Sequence, residues 1–193
     1  MVHDWDNLAK NWENNTTNTK FVQQVFQQLK TLTSLDGKHI LDYGCGTGLL
    51  SQMISPLAKN IVALDCSESM IEELDKKDLP NVEPVVDSLT RGLVAQHPAF
   101  RKQFDLVVAA SVCAYVDDFS QVVDIIYSLL DEGGLFIQWD WLADNVQADH
   151  HLHELNVRKA FTQAGFTTIK VAQAFVIDTL DGPQATFFAL GRK

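Results

Sequence analysis

The chain has 193 residues, a formal charge of -10 at pH 7, and 46% hydrophobic against 21% charged residues. That balance predicts a soluble globular protein, with one domain over 1–193 that buries about 70% of its unfolded surface without disulfide or metal staples, and excludes a disordered or fibrous chain. The acidic charge disfavours DNA or RNA, whose backbones call for clustered Lys and Arg, and no apolar run approaches the roughly 18 residues of a membrane span.

The start, Met1-Val2-His3-Asp4, has neither a basic n-region nor an apolar h-region, so the expected location is the cytoplasm. Cys45, Cys66 and Cys113 lack metal-finger spacing and the paired pattern of a secreted scaffold, which fits a reducing compartment. Residues 1–17 are polar but carry Trp5 and Trp12, a combination that suits either a flap whose aromatics cover something or a tail with two stray tryptophans. An amphipathic helix follows over 18–33, with Phe21, Val22, Val25, Phe26, Leu29 and Leu32 on one face.

From residue 38 the pattern alternates strand and helix. His39–Tyr43 is a first strand ending in a Gly-rich turn, and Leu49, Leu50, Met53, Ile54 and Leu57 recur at helical spacing before Pro56 stops the helix or falls in its last turn. Asn60–Asp65 is a second strand, followed by a helix capped at Ser67 or Ser69. Asn81–Asp87, Phe104–Ala110 and Gly134–Asp140 supply the next three strands. Apolar strands separated by helices predict a parallel sheet covered on both faces, an open α/β, Rossmann-like fold. After a helix from about Leu152 to Ala164 come strands through Phe166–Phe175 and Ala185–Leu190, separated by a turn at Asp181-Gly182-Pro183 too short for a crossover. These two should pair antiparallel, giving a doubly wound seven-stranded sheet, mostly parallel, with the last strand reversed.

In such a sheet, ligands bind outside the carboxyl ends of the strands. Gly44, Gly46 and Gly48 let the chain turn sharply and a ligand approach the backbone. Asp65 closes the second strand, where a carboxylate can accept two hydrogen bonds from a ribose diol, and Asp87 with Ser88 ends the third, where an adenine amino group finds an acceptor. Cys66 and Met70 stand where they could flank the base or ribose. The alternative for each carboxylate is a cap on the following helix.

The run Ile40-Leu41-Asp42-Tyr43-Gly44-Cys45-Gly46-Thr47-Gly48 resembles the first motif of the class I S-adenosylmethionine-dependent methyltransferases, nearest their small-molecule type. VALDCSESMIEEL resembles their second-strand segment, FDLVVAASVCAYVDD the fourth and LLDEGGLFIQWDW the fifth, so the resemblance runs over 38–193. It implies S-adenosylmethionine as cofactor, with Asp42 and the loop backbone of Gly44, Cys45, Gly46 and Gly48 at the methionine end, Asp65 at the ribose, Asp87 and Ser88 at the adenine, Ser111 beside the sulfonium or its amino group, and Trp12 as the covering flap residue. Where many relatives carry a His-containing turn this chain has Cys113-Ala114-Tyr115, so no catalytic histidine transfers there, and Tyr115 either replaces its hydrogen bond or packs.

Methyl transfer from a sulfonium is an in-line displacement in which positioning supplies most of the rate and no catalytic side chain is obligatory. If the acceptor must lose a proton, the candidate bases are Asp140, Asp144, His150, His151 and His153. Asp140 is the preferred acceptor contact, because period two puts Trp139 and Trp141 on one face of the fifth strand and Asp140 on the other. The His150-His151-Leu152-His153 stretch reads as a solvated cluster at a helix start, and Asp144-Asn145 lies four residues beyond the strand end where a magnesium-dependent pair belongs, so no metal is expected. Two rivals remain. An NAD-dependent oxidoreductase wants its third glycine one place later, where Leu49 stands, and a non-catalytic binding or partner protein could retain the same fold. The expected acceptor is a small molecule, with a protein side chain or a modified tRNA base as open alternatives.

Overall fold

In the computed structural model, which describes residues 5–142, 153–180 and 182–193, the first apolar run becomes strand β1 (His39–Tyr43), buried from Ile40 onward. It belongs to the first of two compact units, Met1–Ser88 and Leu89–Lys193.

In the first unit, helix α1 (Trp5–Leu8) runs into a 3-10 segment (Ala9–Asn14), and helix α2 (Thr16–Leu32) follows. The side chain of Asn15 accepts from the Thr17 amide at 2.9 Å, satisfying one of the otherwise open N–H groups at the start of α2. The apolar stripe of that helix buries Phe21, Val25 and Leu29. Helix α3 (Leu49–Ile54) stops short of Pro56, as a residue without an N–H requires. Strand β2 (Asn60–Asp65), helix α4 (Glu68–Asp75) and strand β3 (Val82–Val86) complete the unit. β1 and β2 pair in parallel, as do β2 and β3, with Leu41 beside Val62 and Val62 beside Glu83. β3 is shorter than Asn81–Asp87 and only Val85 is buried in it; Pro84, which cannot donate to a ladder, suits an edge strand.

The second unit contains helix α5 (Arg91–Gln96), strand β4 (Phe104–Ala110), helix α6 (Phe119–Leu129), strand β5 (Leu130–Trp141), helix α7 (Glu154–Ala164) and the hairpin of β6 (Thr167–Thr179) and β7 (Gly182–Arg192). β4 and β5 are parallel, and β7 lies antiparallel to both β5 and β6. The last two strands extend past the predicted Phe166–Phe175 and Ala185–Leu190, because their mutual pairing continues to Thr179 and Gly182 beyond the part whose apolar residues mark the core. The sheet order is β3-β2-β1-β4-β5-β7-β6, so the seven-stranded, mostly parallel sheet with a reversed last strand is the architecture observed.

Packing in the second unit is aromatic. Phe136 of β5 stacks on Phe161 of α7 at 5.1 Å, and Tyr127 meets Phe166 edge-on at 5.0 Å. Phe136 therefore identifies the face of β5 that α7 covers. Among the described residues, no helix is long and apolar enough to cross a membrane.

Candidate functional site

The turn after β1 needs its glycines. Gly44, Gly46 and Gly48 have φ of 68°, 54° and 77°, the left-handed region in which a Cβ is penalised. The Gly44 and Cys45 amides donate to the Leu64 carbonyl at 2.8 and 3.1 Å, and the Gly48 amide donates to the Cys45 carbonyl at 2.9 Å. Gly48 has a second reason: a Cβ there would lie 2.2 Å from Leu74 Cδ1, so this glycine admits α4 against the turn. Gly46 is different. Its nearest neighbours in that direction are Trp12 Nε1 at 3.7 Å and Met70 Sδ at 3.9 Å.

The three carboxylates at the strand ends are not helix caps. α3 starts at left-handed Gly48, α4 is capped by Ser67 and α5 by Thr90. Asp42, 1% exposed, accepts from the Ser51 hydroxyl at 2.7 Å, and burial pushes its carboxyl up to about 6, opposed by that hydrogen bond and reinforced by the charge of Asp65. Asp65 Oδ2 accepts from the Gly46 amide at 2.8 Å and Oδ1 from the Ser67 amide at 2.9 Å. Burial raises its pKa, with the Ser67, Gly46 and Cys66 amides working in the opposite direction. The Cys66 amide is also directed at this carboxylate, which offers about four acceptor sites in all. Asp87 and Ser88 are exposed; the Asp87 amide donates to the Asp65 carbonyl at 3.0 Å and its carboxylate accepts from the Ser88 amide at 2.7 Å.

Around this group, Met70 is buried and Cys66 is exposed. Cys45 and Cys113 are buried, and burial drives both thiols well above their ordinary value, which leaves them poor nucleophiles.

The N-terminal residues are tied to the same group through two carboxylates. Asp6 Oδ1 accepts from the Ser67 hydroxyl at 2.5 Å and the Ser69 amide at 3.2 Å, which lowers its pKa. Glu13 Oε1 accepts from the Thr47 hydroxyl at 2.8 Å and from Lys77 Nζ at 2.6 Å. Trp5 and Trp12 meet edge-on at 6.1 Å, with Trp12 beside Gly46.

In the second unit, the residues past β4 are strained. Ser111 has φ of 60°, a conformation that costs a non-glycine residue about 1–2 kcal/mol. Its amide donates to the Trp139 carbonyl at 2.7 Å, and its hydroxyl accepts from Trp141 Nε1 at 3.2 Å. Cys113–Tyr115 forms a 3-10 turn with Tyr115 37% exposed. Asp140 is fully buried, and neither of its oxygens has a hydrogen bond of regular geometry among the described residues. Burial raises its pKa well above the carboxylate range, the Ala114 amide offsetting part of that. The Tyr115 hydroxyl is also raised, by burial and then by the charge of Asp140. Gln138, also fully buried, leaves both amide atoms unsatisfied among the described residues. Each such group costs about 1–3 kcal/mol. His153 precedes α7 without capping it, while Asp144, His150 and His151 lie outside the described residues.

The hydrogen bonds of Ser51, Asp6, Glu13 and Lys77 in this group, and the buried amide of Gln138, are not announced by the sequence. Only Gln138 carried a local signal, a polar residue inside the apolar run Leu135-Phe136-Ile137-Gln138-Trp139.

Residues 41–136 match the model of a family described as a methyltransferase domain. The malonyl-[acyl-carrier protein] O-methyltransferase 1 of Ilyobacter polytropus is 35% identical over 100 residues, covering 50% of this chain and 35% of that protein. The ubiquinone biosynthesis O-methyltransferase of Pseudomonas entomophila is 32% identical over 135 residues, covering 69% of this chain and 50% of that protein. The chain thus spans about half the length, or less, of these relatives. Among solved structures, DhpI in complex with SAM and HEP superposes with a TM-score of 0.75 at 19% identity, covering 98% of this chain and 94% of that one, which is a likeness of fold. With its Gly-rich turn after β1, acidic strand ends and reversed β7, the chain belongs to the class I S-adenosylmethionine-dependent methyltransferases.

Proposed function

We propose that the chain transfers the methyl group of S-adenosylmethionine to a small-molecule acceptor. The observation that carries this reading is Asp65: its carboxylate is oriented by the Gly46 and Ser67 amides at the end of β2, caps no helix, and can accept from a ribose diol. The residues present fit the cofactor in other respects. Asp42 is an acidic partner for the methionine amino group, Asp87 with Ser88 an acceptor and donor for adenine, and Met70 with Trp12 an apolar and aromatic covering at Gly46. Ser111 is assigned to the sulfonium or amino end.

When bound, the cofactor supplies an activated methyl group on a sulfonium. The chain contributes position and exclusion of water. Fixing reactants at near-attack distance is worth about 7–11 kcal/mol of barrier. Residues 5–14 serve as a lid, latched by Asp6 and Glu13. Asp140 and Tyr115 are the acceptor-side groups, and the names of the two relatives, both O-methyltransferases, favour an oxygen nucleophile.

Thermal unfolding with S-adenosylhomocysteine beside NAD tests the reading, since a ligand that binds only the native state raises the midpoint. A rise with S-adenosylhomocysteine and none with NAD is expected. No rise with the former sinks the proposal.

A further inference from the structure

Gln138 and Asp140 stand two residues apart on β5, where the ladder to β7 is unbroken from Leu135 to Trp141, so their side chains share one face. Both are fully buried, and among the described residues all four side-chain polar atoms lack a hydrogen bond of regular geometry. The residues paired with Gln138 on either side are both alanine, Ala109 of β4 and Ala189 of β7, neither of which has a side chain that can hydrogen-bond the amide. A buried amide with both a donor and an acceptor open, next to a carboxylate toward which the Ala114 amide is directed without a regular hydrogen bond, requires partners of complementary kind. We propose that Gln138 and Asp140 form the anchoring subsite for a hydroxyl acceptor, Gln138 donating to the hydroxyl oxygen and Asp140 accepting its proton. This rests on the methyl-transfer reading above.

The nature of the nucleophile follows from counting lone pairs. A hydroxyl oxygen has two: one accepts from Gln138 Nε2–H, the other attacks the methyl carbon, and the O–H points to Asp140. A neutral amine has one lone pair, committed to the methyl carbon, so it would leave the Gln138 N–H unpaired. In the transfer the O–CH3 bond forms, the S–CH3 bond breaks with its electron pair going to sulfur, and the O–H proton passes to the Asp140 carboxylate, which later releases it to water. Burial raises the Asp140 pKa, which strengthens the carboxylate as a base and lowers its ionised fraction, so turnover should rise with pH as Asp140 loses its proton. Tyr115, whose hydroxyl senses the charge of Asp140, lies on the same turn as Ala114.

The test uses the full chain saturated with S-adenosylhomocysteine, saturation being established first by calorimetry. The side-chain amide resonance of Gln138 is followed by 15N NMR during titration with phenol, catechol, benzyl alcohol and benzylamine. A saturable shift with at least one hydroxyl probe and none with benzylamine is the expected result. A shift with benzylamine, or with no probe at all, overturns the proposal. For a hydroxyl probe that is turned over, Asp140→Asn should lower kcat about 10²–10⁴-fold, as loss of a general base does, and Gln138→Met should raise KM about tenfold. Both should leave S-adenosylhomocysteine affinity unchanged. Thermal midpoints that move in these variants while turnover stays put show a structural pair and refute the subsite. Failure of wild-type chain to bind S-adenosylhomocysteine fails the function itself, whereas binding with an unmoved Gln138 fails only the subsite.

Discussion

Replacing Asp42 by Asn should remove a pH dependence from folding. Asp42 is 1% exposed and its carboxyl is pushed up to about 6, by burial above all and to a lesser degree by the charge of Asp65, with the Ser51 hydroxyl opposing. In the unfolded chain it titrates near the ordinary value of about 3.9. Between about pH 4 and about pH 6 the unfolded chain has therefore lost this proton while the native chain still holds it. The native state binds more protons, so stability falls as pH rises through that window, and the full penalty is present above the folded value. Two units at 1.36 kcal/mol each give about 3 kcal/mol. Urea unfolding of wild type and Asp42→Asn without cofactor, at a series of pH values from about 4.5 to about 8, measures the difference. The absolute offset includes whatever the Asn amide costs inside the protein, so the decisive quantity is how the difference changes. It should move in favour of the variant by about 2–3 kcal/mol toward neutral pH. Parallel curves would refute the account of Asp42 as a carboxylate held against its solvation preference. A protein retains such a group where function needs it, so the same variant should bind S-adenosylhomocysteine more weakly even as its stability gains on wild type toward neutral pH.

Other consequences are equally specific. Gly48→Ala should destabilise the chain by about 2–3 kcal/mol in urea unfolding, since the new Cβ adds left-handed strain to a contact with Leu74; Leu74→Ala in the same chain should recover only the steric part. Ser111→Gly should be more stable than Ser111→Ala by about 1 kcal/mol, because both lose the Trp141 hydrogen bond and only Gly relieves φ of 60°. Equal stabilities would mean that the strain at Ser111 is not real. Asp6→Asn combined with Glu13→Gln should speed S-adenosylhomocysteine dissociation several-fold in stopped flow and expose Trp5 and Trp12 to iodide quenching, with a dissociation rate that does not change counting against the lid.

The fold was legible because its signals are local. Apolar runs of strand length, the glycines at 44, 46 and 48, and the short Gly182-Pro183 turn each act over a few residues, and together they specify strand count and the reversed β7. Boundaries were less legible where pairing outlasts burial, as in β6 and β7, whose ladder reaches Thr179 and Gly182. Ser67 was recognisable as a cap by its position before Met70, Ile71 and Leu74, but its bond to Asp6 spans 61 residues and no local pattern announces it. The same holds for Glu13 and Thr47, 34 residues apart. Whether Asp42, Asp65 and Asp87 cap helices or face a ligand is equally invisible in sequence, since the same residue types do both. The structure removes the cap alternative, since Gly48, Ser67 and Thr90 start the helices. Gln138 was visible as a polar interruption of β5, but its meaning depends on Ala109 and Ala189 beside it.

The central claim is that Asp65 is a ribose acceptor held ready by the Gly-rich turn. Calorimetric titration of S-adenosylhomocysteine into wild type and Asp65→Asn tests it most directly, with the urea midpoint measured alongside. The amide oxygen of Asn keeps part of the bonding from the Gly46, Cys66 and Ser67 amides, so the fold should survive, while the loss of a charged acceptor for the diol should weaken binding about tenfold or more. Undiminished affinity in a folded Asp65→Asn chain would contradict the assignment and return Asp65 to a purely structural role between Gly46 and Ser67.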